Sequence, residues 1–149
     1  MKNPLNNPKI KGVATYNSVL RTQINDHLKQ KLREAGNTDL VPSHGSILNY
    51  LYENGGRVQI KDLYDVLLKQ KSTVTEMIKR LEKLGYLTKE ASAEDKRVTF
   101  VVATQKAWDF EKEFRAISAS MMERVYTDFT DEEAEEFVRL LKKAIGNFT

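Results

Sequence analysis

Between residues 72 and 102 the apolar pattern changes period once, and that switch narrows the folds open to the chain. Val74, Met77, Ile78, Leu81 and Leu84 recur at steps of three and four, the stripe of an amphipathic helix over 72–84. Ser72 can cap this helix and Gly85 can stop it. Residues 86–89 and 98–102 then read as two strands, with the polar, charged stretch 91–96 as the hairpin tip between them. A helix leading straight into a hairpin has an apolar stripe that needs further helices beside it.

Those helices are present on both sides. Upstream, residues 13–35 read as a long helix, with Val13, Leu20, Ile24, His27, Leu28 and Leu32 at steps of three, four and seven. A second helix opens at Val41-Pro42-Ser43, with Ser43 as its N-cap and Ile47, Leu48, Leu51 and Tyr52 inward. Asn54-Gly55-Gly56 ends it. A short extended piece, 57–60, precedes a short third helix, 61–68, with Leu63, Val66 and Leu67 inward. Downstream, 105–128 reads as a long helix with Phe110, Phe114, Ile117, Met121 and Val125 along one side. Thr130-Asp131-Glu132-Glu133 forms a capping box for a last helix, which buries Phe137, Leu140, Leu141, Ala144 and Ile145 and stops at Gly146-Asn147.

The expected fold is thus mainly α with a small β wing, an α+β arrangement laid out as a winged helix-turn-helix between long terminal helices. Residues 13–149 form one domain, and the polar stretch 1–12 reads as a flexible tail. The terminal helices carry more apolar surface than so small a middle can cover. A second copy of the chain is the simplest cover, which predicts a homodimer.

The chain has 149 residues and no cysteine, so disulfides, thiolate metal sites and thiol redox sensing are excluded. No apolar run approaches the roughly 20 residues of a membrane span. With no signal-peptide pattern at the start, a cytoplasmic location is expected. The net charge of +3 is unevenly spread: residues 1–56 and 57–104 each carry +3, and 105–149 carry −3. A basic middle beside an acidic end suits nucleic-acid binding, although solvated helix faces produce the same imbalance.

The helix over 72–84 turns Ser72, Thr73, Glu76, Lys79, Arg80 and Lys83 away from its stripe, with Thr75 at the border and Lys71 just before it. Short hydroxyls at the start and cations further along suit a helix inserted end-first into the major groove. Taken alone, the same face admits a plainer reading, in which Ser72 and Thr73 only cap and the cations only meet solvent. Glu76 would repel phosphate and is expected to pair with Arg80 four residues on. At the hairpin tip, Asp95, Lys96 and Arg97 offer a second contact. A basic residue on a stiff hairpin can enter the minor groove, and Asp95 can hold the Arg97 fork from the same side of an extended segment. An ordinary surface turn with a weak ion pair is the alternative.

From Val41 to Ala107 these residues resemble the MarR family of bacterial transcription regulators. Lys71-Ser72-Thr73-Val74-Thr75, followed by Leu81-Glu82-Lys83-Leu84-Gly85-Tyr86-Leu87, is similar to that family's recognition helix and entry to the wing. Asp95-Lys96-Arg97, then Thr104 after six residues, is similar to its wing signature. The resemblance implies a winged-helix DNA-binding lobe over about 41–104 and dimerisation helices over about 13–36 and 105–149. It implies a homodimer on palindromic promoter DNA, acting as a repressor, with Arg97 in the minor groove and Asp95 as its positioning partner. It also implies a small anionic or aromatic effector held between the dimer helices and the DNA-binding lobe. Tyr16, His44, Tyr50, Trp108 and Arg115 are the polar-tipped or aromatic candidates near that junction. Four positions depart from the family pattern: Tyr64 replaces a small Ala, Leu68 a turn Gly, Ala103 a Leu and Ala107 a Gly. Tyr64 is expected to push the two short helices apart or re-angle them.

Enzymatic chemistry has no foothold in the pattern. There is no Gly-rich phosphate loop, no Cys nucleophile and no metal-spaced His/Cys set, and no cofactor is implied. His27 and His44 are the only histidines; His27 reads as a satisfied residue of the first helix's apolar face. The rival from another class is a winged-helix module that binds protein and has no DNA contact.

Overall fold

A computed structural model describes residues 3–149. The elements run α1 (Val13–Glu34), α2 (Gly45–Glu53), β1 (Arg57–Gln59), α3 (Ile60–Val66), α4 (Lys71–Lys83), β2 (Leu87–Ala91), β3 (Thr99–Ala103), α5 (Gln105–Val125) and α6 (Asp131–Gly146). The three strands form one antiparallel sheet in the order β1-β3-β2, with Val58 opposite Val101 and Leu87 opposite Ala103. This is the expected helical fold with a small β wing.

One core holds the middle of the chain together. Ile47, Leu48 and Leu51 of α2 meet Leu63 of α3, Val74 and Leu81 of α4, and Leu87 and Val101 of the sheet, all fully buried. Each such side chain contributes about 1.5–3 kcal/mol by leaving water. Tyr52 joins α2 to α5 by donating its hydroxyl to the Ala107 carbonyl at 2.6 Å, and Ala107 is itself fully buried. Burial pushes the Tyr52 pKa well above the ordinary tyrosine value, so it remains a donor. Gly56, at φ +80, lets the backbone pass under Trp108; a Cβ there would collide with the indole ring. That contact accounts for a glycine in the turn after α2.

A clasp fixes the far end of α4. Lys106, in the first turn of α5, donates to the Leu84 carbonyl at 2.7 Å, and the Thr104 hydroxyl donates to the Gly85 carbonyl at 2.5 Å. Gly85 takes φ +85 at this stop, as its place after the stripe predicts.

Several local expectations are corrected. Ser43 does not cap α2. Pro42 starts a 3-10 turn, Pro42–His44, whose N-cap is Val41 in extended backbone, and the Val41 N–H is taken by His44 Nδ1 at 3.2 Å. The fixed φ of Pro42 makes it the first residue of the turn and leaves Ser43 inside. Ser72 does not cap α4 either, because the helix begins at Lys71 behind Gln70. Val66, expected inward, is exposed at the end of α3. In the expected tail, Pro4–Asn6 forms an exposed 3-10 turn.

The largest correction concerns α6. Its capping box forms as expected: Thr130 Oγ1 accepts from the Glu133 N–H at 3.1 Å, and the Thr130 N–H donates to Glu133 Oε2 at 3.0 Å. Yet the helix buries no residue within the protomer. Leu140, Leu141 and Ile145 are exposed, as is Ala144, and Phe137 is half-buried beside Phe129. Among the described residues, Phe129 packs on Phe137, and Leu140, Leu141 and Ile145 are left uncovered.

Leu68 follows α3 at φ 49, in the left-handed region, and is exposed. An L residue there costs about 1–2 kcal/mol, which glycine avoids, although glycine also loses about 0.4–1 kcal/mol more chain entropy on folding. Leu68→Gly is expected to raise Tm by a few degrees, read by calorimetry. A lower Tm would show that the side chain contributes more than the turn costs.

Candidate nucleic-acid interface

The α4 helix lies across the core with one face sealed and the other open. Val74, Ile78 and Leu81 point inward, while Lys71, Ser72, Thr73, Glu76, Lys79, Arg80 and Lys83 are exposed and Thr75 is half-buried. Since Gln70 is the N-cap and makes no side-chain capping bond, Ser72 and Thr73 sit in the exposed first turn with no capping role. Glu76 pairs with Lys79 at 3.4 Å, not with Arg80. The intervening carboxylate thus neutralises one cation of the face, and Arg80 is left to the open groove that it shares with Ser72, Thr73 and His44.

The wing tip is ordered by its own polar groups. The Ser92 hydroxyl accepts from the Glu94 and Asp95 N–H groups at 3.2 and 3.3 Å. The Val98 N–H donates to the Asp95 carbonyl at 3.0 Å, so Asp95, Lys96, Arg97 and Val98 form a tight turn and not the extended segment expected. Asp95 Oδ1 accepts from both the backbone N–H and Nε of Arg97, at 3.0 and 3.1 Å, and Oδ2 accepts from Nη2 at 3.1 Å. The Arg97 side-chain and backbone donors hold the Asp95 carboxyl below the usual carboxylate range. The fork is fixed within this four-residue turn, yet the Arg97 side chain stays 89% exposed. Lys96 is exposed beside it.

The profile of the MarR family matches residues 38–98, the stretch that holds α2, the short helices and the wing tip. An uncharacterized transcriptional regulator of the helix-turn-helix type from Bacillus subtilis, YwoH, is 36% identical over 106 residues, which cover 69% of this chain and 74% of that one. The chain belongs to the MarR family. A second Bacillus subtilis regulator, MhqR, is 27% identical over 120 residues, 80% of each chain. The MarR-family regulator Sco3205 from Streptomyces coelicolor, solved in complex with DNA, shares the fold at TM-score 0.82 over 96% of this chain and 93% of that one, with 18% identity. These MarR-family relatives are transcriptional regulators and not enzymes.

The family's junction between terminal helices and lobe is hollow in this chain. A cavity of about 320 Å³ lies among α1, α5 and the Pro42–His44 turn, with Leu28, Leu32, Leu40, Phe110, Phe114 and Met121 in its walls. Of the five candidates named from sequence, His44 lines it and Tyr16, Tyr50, Trp108 and Arg115 do not. Tyr16 is exposed near the start of α1. Trp108 packs on Gly56 and Tyr52. Arg115 is tied to Glu111 at 2.9 Å and lies toward the Tyr52 ring. Ser118 and Asn49, which line the cavity, went unnamed because no periodicity marks a gap between helices. Burial, and then the nearby Arg80 charge, hold the His44 pKa below the ordinary histidine value, so it is neutral at pH 7. His27 is satisfied through Nε2 and Ser120 Oγ, 2.9 Å apart, joining α1 to α5.

Proposed function

We propose that the chain is a homodimeric, sequence-specific DNA-binding regulator that represses a promoter by holding a palindromic operator. The observation that carries this reading is the open first turn of α4 beside a wing whose arginine is pre-ordered and exposed. In this reading Lys71, Ser72, Thr73 and Thr75 meet base edges or phosphates in the major groove, Lys79 and Arg80 meet the flanking phosphates, and Arg97 enters the minor groove with Lys96 beside it. The lobe over 41–104 carries the contacts, and the helices over 13–36 and 105–149 join two copies. No described helix is long and apolar enough to cross a membrane, and a DNA partner places the protein in the cytoplasm.

Repression is relieved by a small molecule in the cavity at the junction. Its volume falls within the range of ligand sites. No Lys or Arg lines it and its histidine is neutral. Burying an unpaired anion there would cost several kcal/mol, so an uncharged aromatic guest fits the cavity better than an anionic one.

The test is selection of duplexes from a random pool, followed by fluorescence anisotropy over a salt series. A two-fold symmetric preference, with affinity falling steeply as salt rises, is the expected result. Salt-insensitive retention of a protein partner, with no duplex selected, would favour the protein-binding module.

A further inference from the structure

Tyr64 belongs to α3, but its side chain serves α4. Its hydroxyl lies 2.9 Å from Thr75 Oγ1. The Lys71 ammonium stands over its ring, 5.5 Å from the centroid. Lys71 and Thr75 are four residues apart and therefore share one face of α4. A single side chain from the preceding helix thus touches two members of the DNA-facing set. Tyr64 and Thr75 are both half-buried, so their bond is shielded from competing water, while Lys71 remains exposed. The ring also lines a cleft between α3 and the wing, where Lys61, Lys71 and Arg97 bring three cations together.

A threonine in a helix divides its population between two χ1 rotamers, because its hydroxyl can also turn back to a carbonyl of the preceding turn. A fixed partner for Oγ1 selects one of them. The choice decides what Thr75 can offer a base edge, since the hydroxyl suits any base and the methyl suits the thymine methyl. We infer that Tyr64 is a positioning residue for sequence discrimination: it fixes the Thr75 rotamer, and with it the base pair that the middle of α4 accepts, without reading a base itself. The cations of the cleft hold the backbone, and the tyrosine hydroxyl, engaged by Thr75, takes no phosphate. This inference rests on α4 being the recognition helix.

The test uses the full chain and the duplex that the wild type selects from a random pool, together with every single-base-pair variant of that duplex. Tyr64→Phe removes the hydroxyl and keeps the ring under Lys71. It is expected to reduce discrimination about tenfold at one base pair in each half-site, with the salt dependence unchanged and Tm lowered by no more than the few degrees that one half-buried hydrogen bond is worth. Thr75→Val should relax the same base pair, and the double variant should lose no more than either single one, because the two groups act as a unit. Wild-type discrimination in Tyr64→Phe would overturn the inference. So would equal weakening on every duplex, which would mean that Tyr64 contacts phosphate, or additive losses in the double variant. If Tyr64→Phe fails to fold, Tyr64→Leu, which also removes the hydroxyl and keeps an apolar contact, takes its place: unchanged discrimination overturns the inference, and a loss confined to one base pair supports it. A wild type that selects no duplex overturns the recognition-helix reading itself, whereas a selective wild type with an equally selective Tyr64→Phe overturns only the positioning role.

Discussion

Leu141→Asp should convert a dimer into a monomer that keeps its winged-helix lobe. The α6 helix places Leu140, Leu141 and Ile145 in the open and buries nothing within its own protomer. A two-fold interface repeats each contact, so one substitution introduces two carboxylates into the same apolar seam. Leaving a buried charge unpaired costs about 3–5 kcal/mol, and every 1.4 kcal/mol is about tenfold in affinity. The interface therefore weakens by several orders of magnitude. Sedimentation at micromolar concentration should show roughly twice the 17.1 kDa chain mass for the wild type and a single chain for the variant. Far-ultraviolet dichroism should keep the signal of the other helices, because the core of α2, α3 and α4 does not depend on α6. A wild type that sediments as a monomer would refute the dimer. Phe137→Asp, one turn earlier and half-buried beside Phe129, is expected to act in the same direction.

Arg97→Ala should weaken binding to the selected duplex about tenfold or more, the worth of one hydrogen bond to a charged group. The guanidinium is already aimed by Asp95, so little side-chain entropy remains to be lost when DNA arrives. Arg97→Lys should recover part of the loss, because an ammonium lacks the planar fork. Asp95→Asn should fall between the two, since it leaves the cation but removes its charged partner. Both donors of the Arg97 side chain and its backbone N–H lower the Asp95 pKa, so this contribution is fully present across neutral pH. It is lost only as acid protonates the carboxyl below its ordinary range. Melting temperatures should hardly move, because the pair is exposed. Anisotropy at fixed salt, beside thermal melts, checks all three. Wild-type affinity in Arg97→Ala would remove the wing from the interface, and early melting would make Arg97 a structural residue.

Periodicity was enough to place the helices, because the stripe Val74, Ile78 and Leu81 can face only one way when it is buried. The same logic made Gly85 a stop and Thr130 a cap. It misplaced Ser43 and Ser72 because a hydroxyl near a helix start resembles a cap, whereas Pro42 and Gln70 fix the actual boundaries. The candidate site divided in the same manner. The outward face of α4 and the Asp95–Arg97 pair follow from local spacing. The cavity does not, since it is what the apolar faces of α1 and α5 leave unfilled, and its walls are leucines and phenylalanines that read as ordinary core. The Tyr64–Thr75 bond joins two helices across a turn at Leu68, whose left-handed backbone is signalled only by the turn Gly it replaces in the family pattern.

The clasp of Lys106 on Leu84 and of Thr104 on Gly85 ties the end of α4 to the start of α5. With 21 residues, α5 is about 30 Å long at 1.5 Å per residue. A tilt of about 5° along such an arm displaces its end by roughly 3 Å, by the geometry of that rise. Half-sites of a two-fold operator lie about 34 Å apart. In the proposed two-fold dimer, the separation between the two recognition helices would follow the crossing angle of these arms, so a guest wedging α5 away from α1 would shift that separation off the operator's pitch without touching a single DNA-facing residue.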